Sequence, residues 1–130
     1  MIPESHLDIF ESKAFAHLST VMPDGTPQVT PVWVDHEDAE YVLINTARGR
    51  RKERNVRRNP RVGVSVLDPE DPYRYVSVRG EAELSEDGAV EHIDELARRY
   101  MDADEHPHHD DEEGARVIVR IPTERIVTSG

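Results

Sequence analysis

Short runs of β-branched and aromatic residues, each cut off by proline, glycine or aspartate, dominate this chain and restrict it to folds built from hairpin-linked strands. Ala14 to Met22 runs into Pro23-Asp24-Gly25-Thr26-Pro27, where proline fixes φ and glycine admits a left-handed residue. Gln28 to Asp35 completes that hairpin, His36 to Ala39 is a second turn, and Glu40 to Thr46 is a third strand. Arg61 to Leu67, with Val62, Val64 and Val66 on one face, and Tyr73 to Leu84, with Tyr75, Val76 and Val78, are a fourth and a fifth. The sixth is Ala115 to Ile121, with Arg125 to Val127 as a candidate extension.

Helical signals are few. Ile2 to Glu11 reads as a short opening helix with Ser5 as its cap and Leu7, Ile9 and Phe10 as an apolar face that covers a barrel end. Glu86 to Met101 is amphipathic, with Val90, Ile93, Leu96, Ala97 and Tyr100 at helical spacing. A third helix runs from about Gly49 to Arg58 and stops at Asn59-Pro60, since a residue before proline is pushed out of the helical region. Too few helices to cover two sheet faces argues for a mainly β, closed antiparallel barrel rather than a doubly wound sheet. A chain of 130 residues fits one such domain. A barrel this small is filled by its own side chains, which places any ligand outside it or between subunits.

The third helix carries an anomaly of charge. Between Arg48 and Arg61 seven arginines and Lys52 face only Glu53, so this window is +7 while the chain as a whole is −11. Crowding like charges on one helix is unfavourable unless an anion or a facing acidic surface offsets it. On a helical wheel Arg51, Lys52 and Asn55 share one side, Arg50, Arg54, Arg57 and Arg58 the other, and only Val56 is apolar. Such a helix belongs on the surface or along an interface. Asn45 and Thr46 end a strand just before it and Gly49 permits close backbone approach, which makes Thr46 to Lys52 a natural anion cradle. The competing reading is salt bridging to acidic residues of the same or a second subunit. Nucleic acid is opposed by the −18 on the rest of the chain and the lack of interleaved aromatics.

Composition removes other classes. There is no cysteine, hence no disulfide, thiolate nucleophile or thiolate-bound zinc. No stretch resembles a signal peptide or a membrane span, so a soluble, cytoplasmic protein is expected. Acidic excess with only Lys13 and Lys52 as lysines suits a protein working in concentrated salt, where screening removes self-repulsion. His106-Pro107-His108-His109, set among Asp102, Asp104, Glu105, Asp110, Asp111, Glu112 and Glu113, offers metal-ligating groups but matches no catalytic zinc spacing and reads as a solvated loop. His17, alternating with apolar strand residues, reads as a packed or interface histidine. No nucleophile, catalytic triad or metal site is expected.

Three segments together resemble a known superfamily. Ala16-His17-Leu18-Ser19-Thr20 leads to Pro23 through Trp33; Asn45 through Asn55 follows; then comes Asn59-Pro60-Arg61-Val62. These are similar to the pyridoxamine-phosphate-oxidase-like split-barrel superfamily, and within it to the flavin/deazaflavin oxidoreductases that use coenzyme F420. The likeness continues through Tyr73-Arg74-Tyr75 and Val78-Arg79-Gly80. It implies a six-stranded split barrel that forms a homodimer, with cofactor sites at the subunit interface. It further implies hydride transfer between the cofactor and a small conjugated organic substrate, chemistry that belongs to the cofactor. FMN is the rival cofactor and a non-catalytic cofactor binder the rival function. The resemblance assigns Arg50, Lys52 and Asn55 to the cofactor's phosphate and tail, beside Arg51 of the basic window. It assigns Asn45, Thr46 and Ala47 to contacts near the ring, and Gln28, Pro31 and Trp33 to the ring-side wall. Trp33 as plain packing is the alternative.

Overall fold

A computed structural model describes residues 1–103 and 114–130; the histidine-rich candidate at His106, His108 and His109 lies outside the described residues. Among the described residues nine antiparallel strands form two sheets. In chain order they are β1 (Phe15–Val21), β2 (Pro27–Trp33), β3 (Asp35–Glu37), β4 (Tyr41–Ala47), β5 (Arg61–Asp68), β6 (Asp71–Glu81), β7 (Glu83–Ser85), β8 (Arg116–Pro122) and β9 (Arg125–Ser129). One sheet has the order β2-β1-β5-β6-β9, the other β3-β4-β8-β7. Helix α1 (Arg51–Arg58) follows β4, and α2 (Ala89–Met101) follows β7.

Each of the six strands expected from sequence is present, and the higher count comes from chain corners. The second predicted strand breaks at Val34 and the fifth at Ala82, where the chain leaves one sheet for the other. Arg125 to Val127 does not extend β8; after Thr123 the chain again changes sheet and forms β9. A corner takes a residue out of the ladder, so its backbone groups need other partners. The Val34 N–H donates to the Tyr100 hydroxyl at 3.1 Å and its carbonyl accepts from Arg99 at 2.8 Å. The Ala82 N–H reaches the Pro60 carbonyl at 2.8 Å, and Thr123 Oγ1 donates to the Glu40 carbonyl at 2.9 Å.

The inner faces close around one apolar cluster. Val62, Val64 and Val66 alternate inward from β5 and meet Val76 and Val78 of β6, Val42 and Ile44 of β4, and Val119 and Ile121 of β8. Ile9 and Phe10 of the opening segment are buried in the same cluster. That segment is a 3-10 helix over Glu4–Glu11 preceded by Pro3, and Ser5 does not cap it: its hydroxyl lies 2.8 Å from His6 Nδ1 instead.

The two α-helices depart from their predicted faces for polar reasons. In α2 the buried stripe is Ala89, His92, Ile93, Leu96 and Ala97, while Val90 points outward. A histidine takes a core position because both its ring nitrogens find partners, as described below. Helix α1 begins at Arg51, with Arg50 extended at φ −68° and ψ 153°. It buries Glu53, Asn55 and Val56, so polar groups account for two of its three inward residues.

Candidate functional site

The turn from β4 into α1 is held by Glu53, whose side chain is fully buried. Its carboxylate accepts from the Gly49 N–H at 2.8 Å, Arg48 Nη1 at 3.1 Å and Arg57 Nε at 3.2 Å. Three donors, two of them cationic, satisfy a charge that would otherwise be prohibitive to bury. Gly49 sits at φ +92°, a conformation side chains beyond glycine rarely adopt. Arg48 also bridges Glu86 at 3.1 Å, and Arg58 donates to the Val21 carbonyl. Part of the basic window, Arg48 and Arg57, is therefore structural pairing within the chain, the outcome the competing reading described for the window's arginines.

Two other residues of the basic window, Arg50 and Lys52, face a cleft of about 220 Å3. Arg50, Lys52, Asn45 and Thr46 line its polar side, joined by Arg116 at the start of β8. Pro31, Trp33, Phe15, Ile93 and Leu96 line its apolar side. Six sequence-derived candidates thus converge: Pro31, Trp33, Asn45, Thr46, Arg50 and Lys52. The helical wheel had set Arg50 opposite Lys52. Because Arg50 precedes the helix in extended backbone, its side chain reaches the same cleft.

The electrostatics of this wall favour an anion. Burial lowers the Lys52 ammonium below its usual pKa, and the neighbouring Arg50 charge lowers it further. Among the described residues no carboxylate pairs with Lys52. Thr46 is 1% exposed, and among the described residues its Oγ1 is the one buried side-chain oxygen or nitrogen with no hydrogen-bond partner. A buried hydroxyl lacking a partner costs about 1–3 kcal/mol, a cost that a bound acceptor would relieve. A hydroxyl donor beside cationic side chains is the donor set that a phosphate group accepts from.

Asn45 and Arg116 are fixed from behind. Asn45 Nδ2 donates to the Ala89 carbonyl at 2.8 Å, and its Oδ1 accepts from Arg116 Nε at 2.9 Å. Those two partners permit only one amide orientation, so Nδ2 also faces His92 Nδ1, at 3.1 Å, as a donor. His92 must then accept at Nδ1 and carry its proton on Nε2, which donates to Asp35 Oδ2 at 3.1 Å. Arg99 Nη2 donates to the other Asp35 oxygen at 2.8 Å. Burial alone would raise the Asp35 carboxyl, but the hydrogen bonds from His92 and Arg99 outweigh it and bring the pKa to about 2.

The aromatic wall is likewise braced. Trp33 stacks on Tyr100 with ring centroids 5.0 Å apart and planes 6° from parallel. The Tyr100 hydroxyl donates to the Ala14 carbonyl at 2.5 Å while accepting the Val34 N–H. Trp33 is thus both a packed residue and a cleft wall.

Four candidates lie outside the cleft lining. Ala47 is buried in β4, where its carbonyl accepts from the Arg50 N–H at 3.2 Å. Asn55 is fully buried and donates to Thr20 Oγ1 at 3.0 Å; Thr20 in turn donates to Gln28 Oε1 at 3.3 Å. Arg51 Nη1 lies 3.5 Å from Asn55 Oδ1. Gln28, Arg51 and Asn55 therefore form a second polar joint, which ties α1 to β1 and β2. Arg116, Phe15, His92 and Tyr100 were missed by sequence reasoning. Arg116 enters because β8 pairs with β4 so that it stands opposite Ala47, a register between segments far apart in sequence.

Two antiparallel sheets wrapped on one core, with an outer cleft at the β4–α1 turn, define a split-barrel protein. The chain belongs to the pyridoxamine 5'-phosphate oxidase family, whose model matches residues 2–129. It is similar to the solved structure of an F420 reductase at 35% identity and a TM-score of 0.82, covering 97% of this chain and 98% of that one. A conserved hypothetical protein of Mycobacterium tuberculosis matches at 28% identity and a TM-score of 0.75, over 99% and 85% of the two chains. General stress protein 26 of Bacillus anthracis, at 23% identity and a TM-score of 0.72 over 97% and 92%, shares the fold. The family and the F420 reductase are oxidoreductase-like. No helix among the described residues is long and apolar enough to cross a membrane.

Proposed function

We propose that the protein is an oxidoreductase that holds coenzyme F420 in the Trp33–Lys52 cleft and transfers hydride between that cofactor and a small conjugated organic molecule. The observation that carries this reading is the buried, partnerless Thr46 hydroxyl in a wall shared with Arg50 and Lys52. That donor set fits a cofactor phosphate, and the flat Trp33 and Pro31 side fits a planar ring. When bound, the deazaflavin supplies the hydride chemistry. The chain's own residues bind and orient: Thr46, Arg50 and Lys52 take the phosphate, and the Asp35–His92–Asn45 chain keeps Arg116 aimed into the cleft. Phe15, Ile93 and Leu96 exclude water from the ring side. The similarity to an F420 reductase favours F420 over FMN.

The cleft of one chain is small for such a ligand. Its volume of about 220 Å3 falls below the roughly 300–1,000 Å3 of typical cofactor sites. A second subunit supplies the remainder in this reading. Phe15, at the cleft edge, and Val29 on the neighbouring strand leave an exposed apolar patch at the β1–β2 edge of the five-stranded sheet, as a homodimer contact beside the cleft requires.

Equilibrium dialysis against F420 and against FMN, followed by assay of reduced-cofactor oxidation with conjugated acceptors, tests the reading. Retention of F420 with acceptor-dependent turnover is expected. Retention of FMN alone would transfer the reading to a flavin enzyme, and retention without turnover to a non-catalytic binder.

A further inference from the structure

Where β5 and β9 begin and β6 and β8 end lies a larger cleft of about 660 Å3, which shares no lining residue with the Trp33 cleft. Arg61, Arg79 and Arg125 line it, from β5, β6 and β9. Arg79 stands directly opposite Arg125 in the β6–β9 ladder, and Gly63 stands opposite Arg79 in the β5–β6 ladder. Arg61, two residues from Gly63, is therefore diagonal to Arg79 on the same face. Side chains directly opposite have Cβ atoms about 4.5–5.5 Å apart and diagonal ones about 7–8 Å, which sets all three arginines along one wall of the cleft.

These arginines differ from five others of the chain. Arg48, Arg57, Arg74, Arg99 and Arg120 each bind a carboxylate. Among the described residues the guanidinium groups of Arg61, Arg79 and Arg125 make no ion pair or side-chain hydrogen bond. Acidic residues are abundant in this chain, 27 of 130, and Glu81 and Glu124 line the same cleft. Glu81 even stands opposite Arg61 in register, yet no bridge closes. Like charges directly opposite on antiparallel strands are destabilising, and the Arg79–Arg125 pair keeps that repulsion. Gly63, opposite Arg79, contributes no side chain, and the space where its Cβ would stand is open. Arginine forks suit phosphate and carboxylate groups, which they grip bidentately.

We propose that this cleft is a second anion site, which takes a small organic phosphate or polycarboxylate between Arg79 and Arg125, with Arg61 reaching from the side. It is independent of the cofactor reading. The two clefts have no lining residue in common.

Calorimetric titration with pyrophosphate and, separately, with citrate, at ionic strength held constant with potassium chloride, tests the proposal. The phosphate and carboxylate arms show which group the cleft prefers. Wild-type protein should bind one of the two anions at this cleft, and Arg79→Ala/Arg125→Ala should weaken that binding by at least about tenfold. Trp33 fluorescence reads the other cleft, and its response to pyrophosphate should be the same in the double variant as in wild type. In anion-free buffer Arg125→Ala should melt no lower than wild type, because it removes a repulsion. Binding unchanged in the double variant overturns the proposal. So does a chloride effect equal to that of both probes, which marks screening only, or a change confined to oligomeric state, which marks a contact between copies.

Discussion

Glu53 and Thr46 show how differently two buried polar residues can serve one turn. Glu53 has three donors and fixes the β4–α1 connection. Glu53→Ala leaves the Gly49 N–H without its acceptor while Arg48 and Arg57 still reach solvent, and urea denaturation should show a loss of about 1–3 kcal/mol. Thr46 has no partner, so Thr46→Val should leave the free protein as stable or about 1 kcal/mol more stable while weakening cofactor binding. A valine variant that unfolds would show that the hydroxyl serves the fold instead. Asp35 gives a pH dependence. Its carboxyl is held at about 2, below the ordinary 3.8, so the folded state favours the anion. That contribution is complete above about pH 4 and is lost as pH falls toward 2. Acid unfolding of Asp35→Asn should lack this component.

At the scale of elements, alternation made β1, β5, β6 and β8 legible, because each buries one face of a period-two pattern, while β4 stood out as an apolar run buried on both faces and β2 through the turn before it. The corners were not legible. Val34 looks like any strand valine, and only α2, some 65 residues later, reveals that its backbone is completed by Arg99 and Tyr100. Tyr100→Phe should therefore lower the melting temperature and disturb Trp33, since it removes the acceptor of the Val34 N–H and the donor to Ala14. Unaltered stability and Trp33 emission would show the brace to be dispensable. The basic helix was found as a charge anomaly, but a wheel treats every residue as helical. Arg50 is not, and that single extended residue changed which charges share a cleft. Asn55 looked like a ligand contact and is a buried joint, because its partners Thr20 and Gln28 lie on other strands.

The whole molecule carries −11, with the positive charge gathered at the β4–α1 turn and in the arginine cleft. Self-repulsion of this size is screened within about 10 Å at 0.1 M salt. The melting temperature should rise as potassium chloride is added, and a curve indifferent to salt would remove the case for a protein suited to concentrated salt. The central claim is more local: a phosphate-bearing, flavin-type cofactor occupies the cleft bounded by Trp33, Thr46, Arg50 and Lys52. Trp33 is the one tryptophan of the chain and lies in that wall, so its fluorescence reads this site alone. Titration with F420 should quench it saturably, and Lys52→Ala should shift the midpoint by about 1–3 kcal/mol, the scale of one charge-assisted contact. Cofactor retained on dialysis with Trp33 emission unmoved, or equal midpoints in the two proteins, would contradict the assignment.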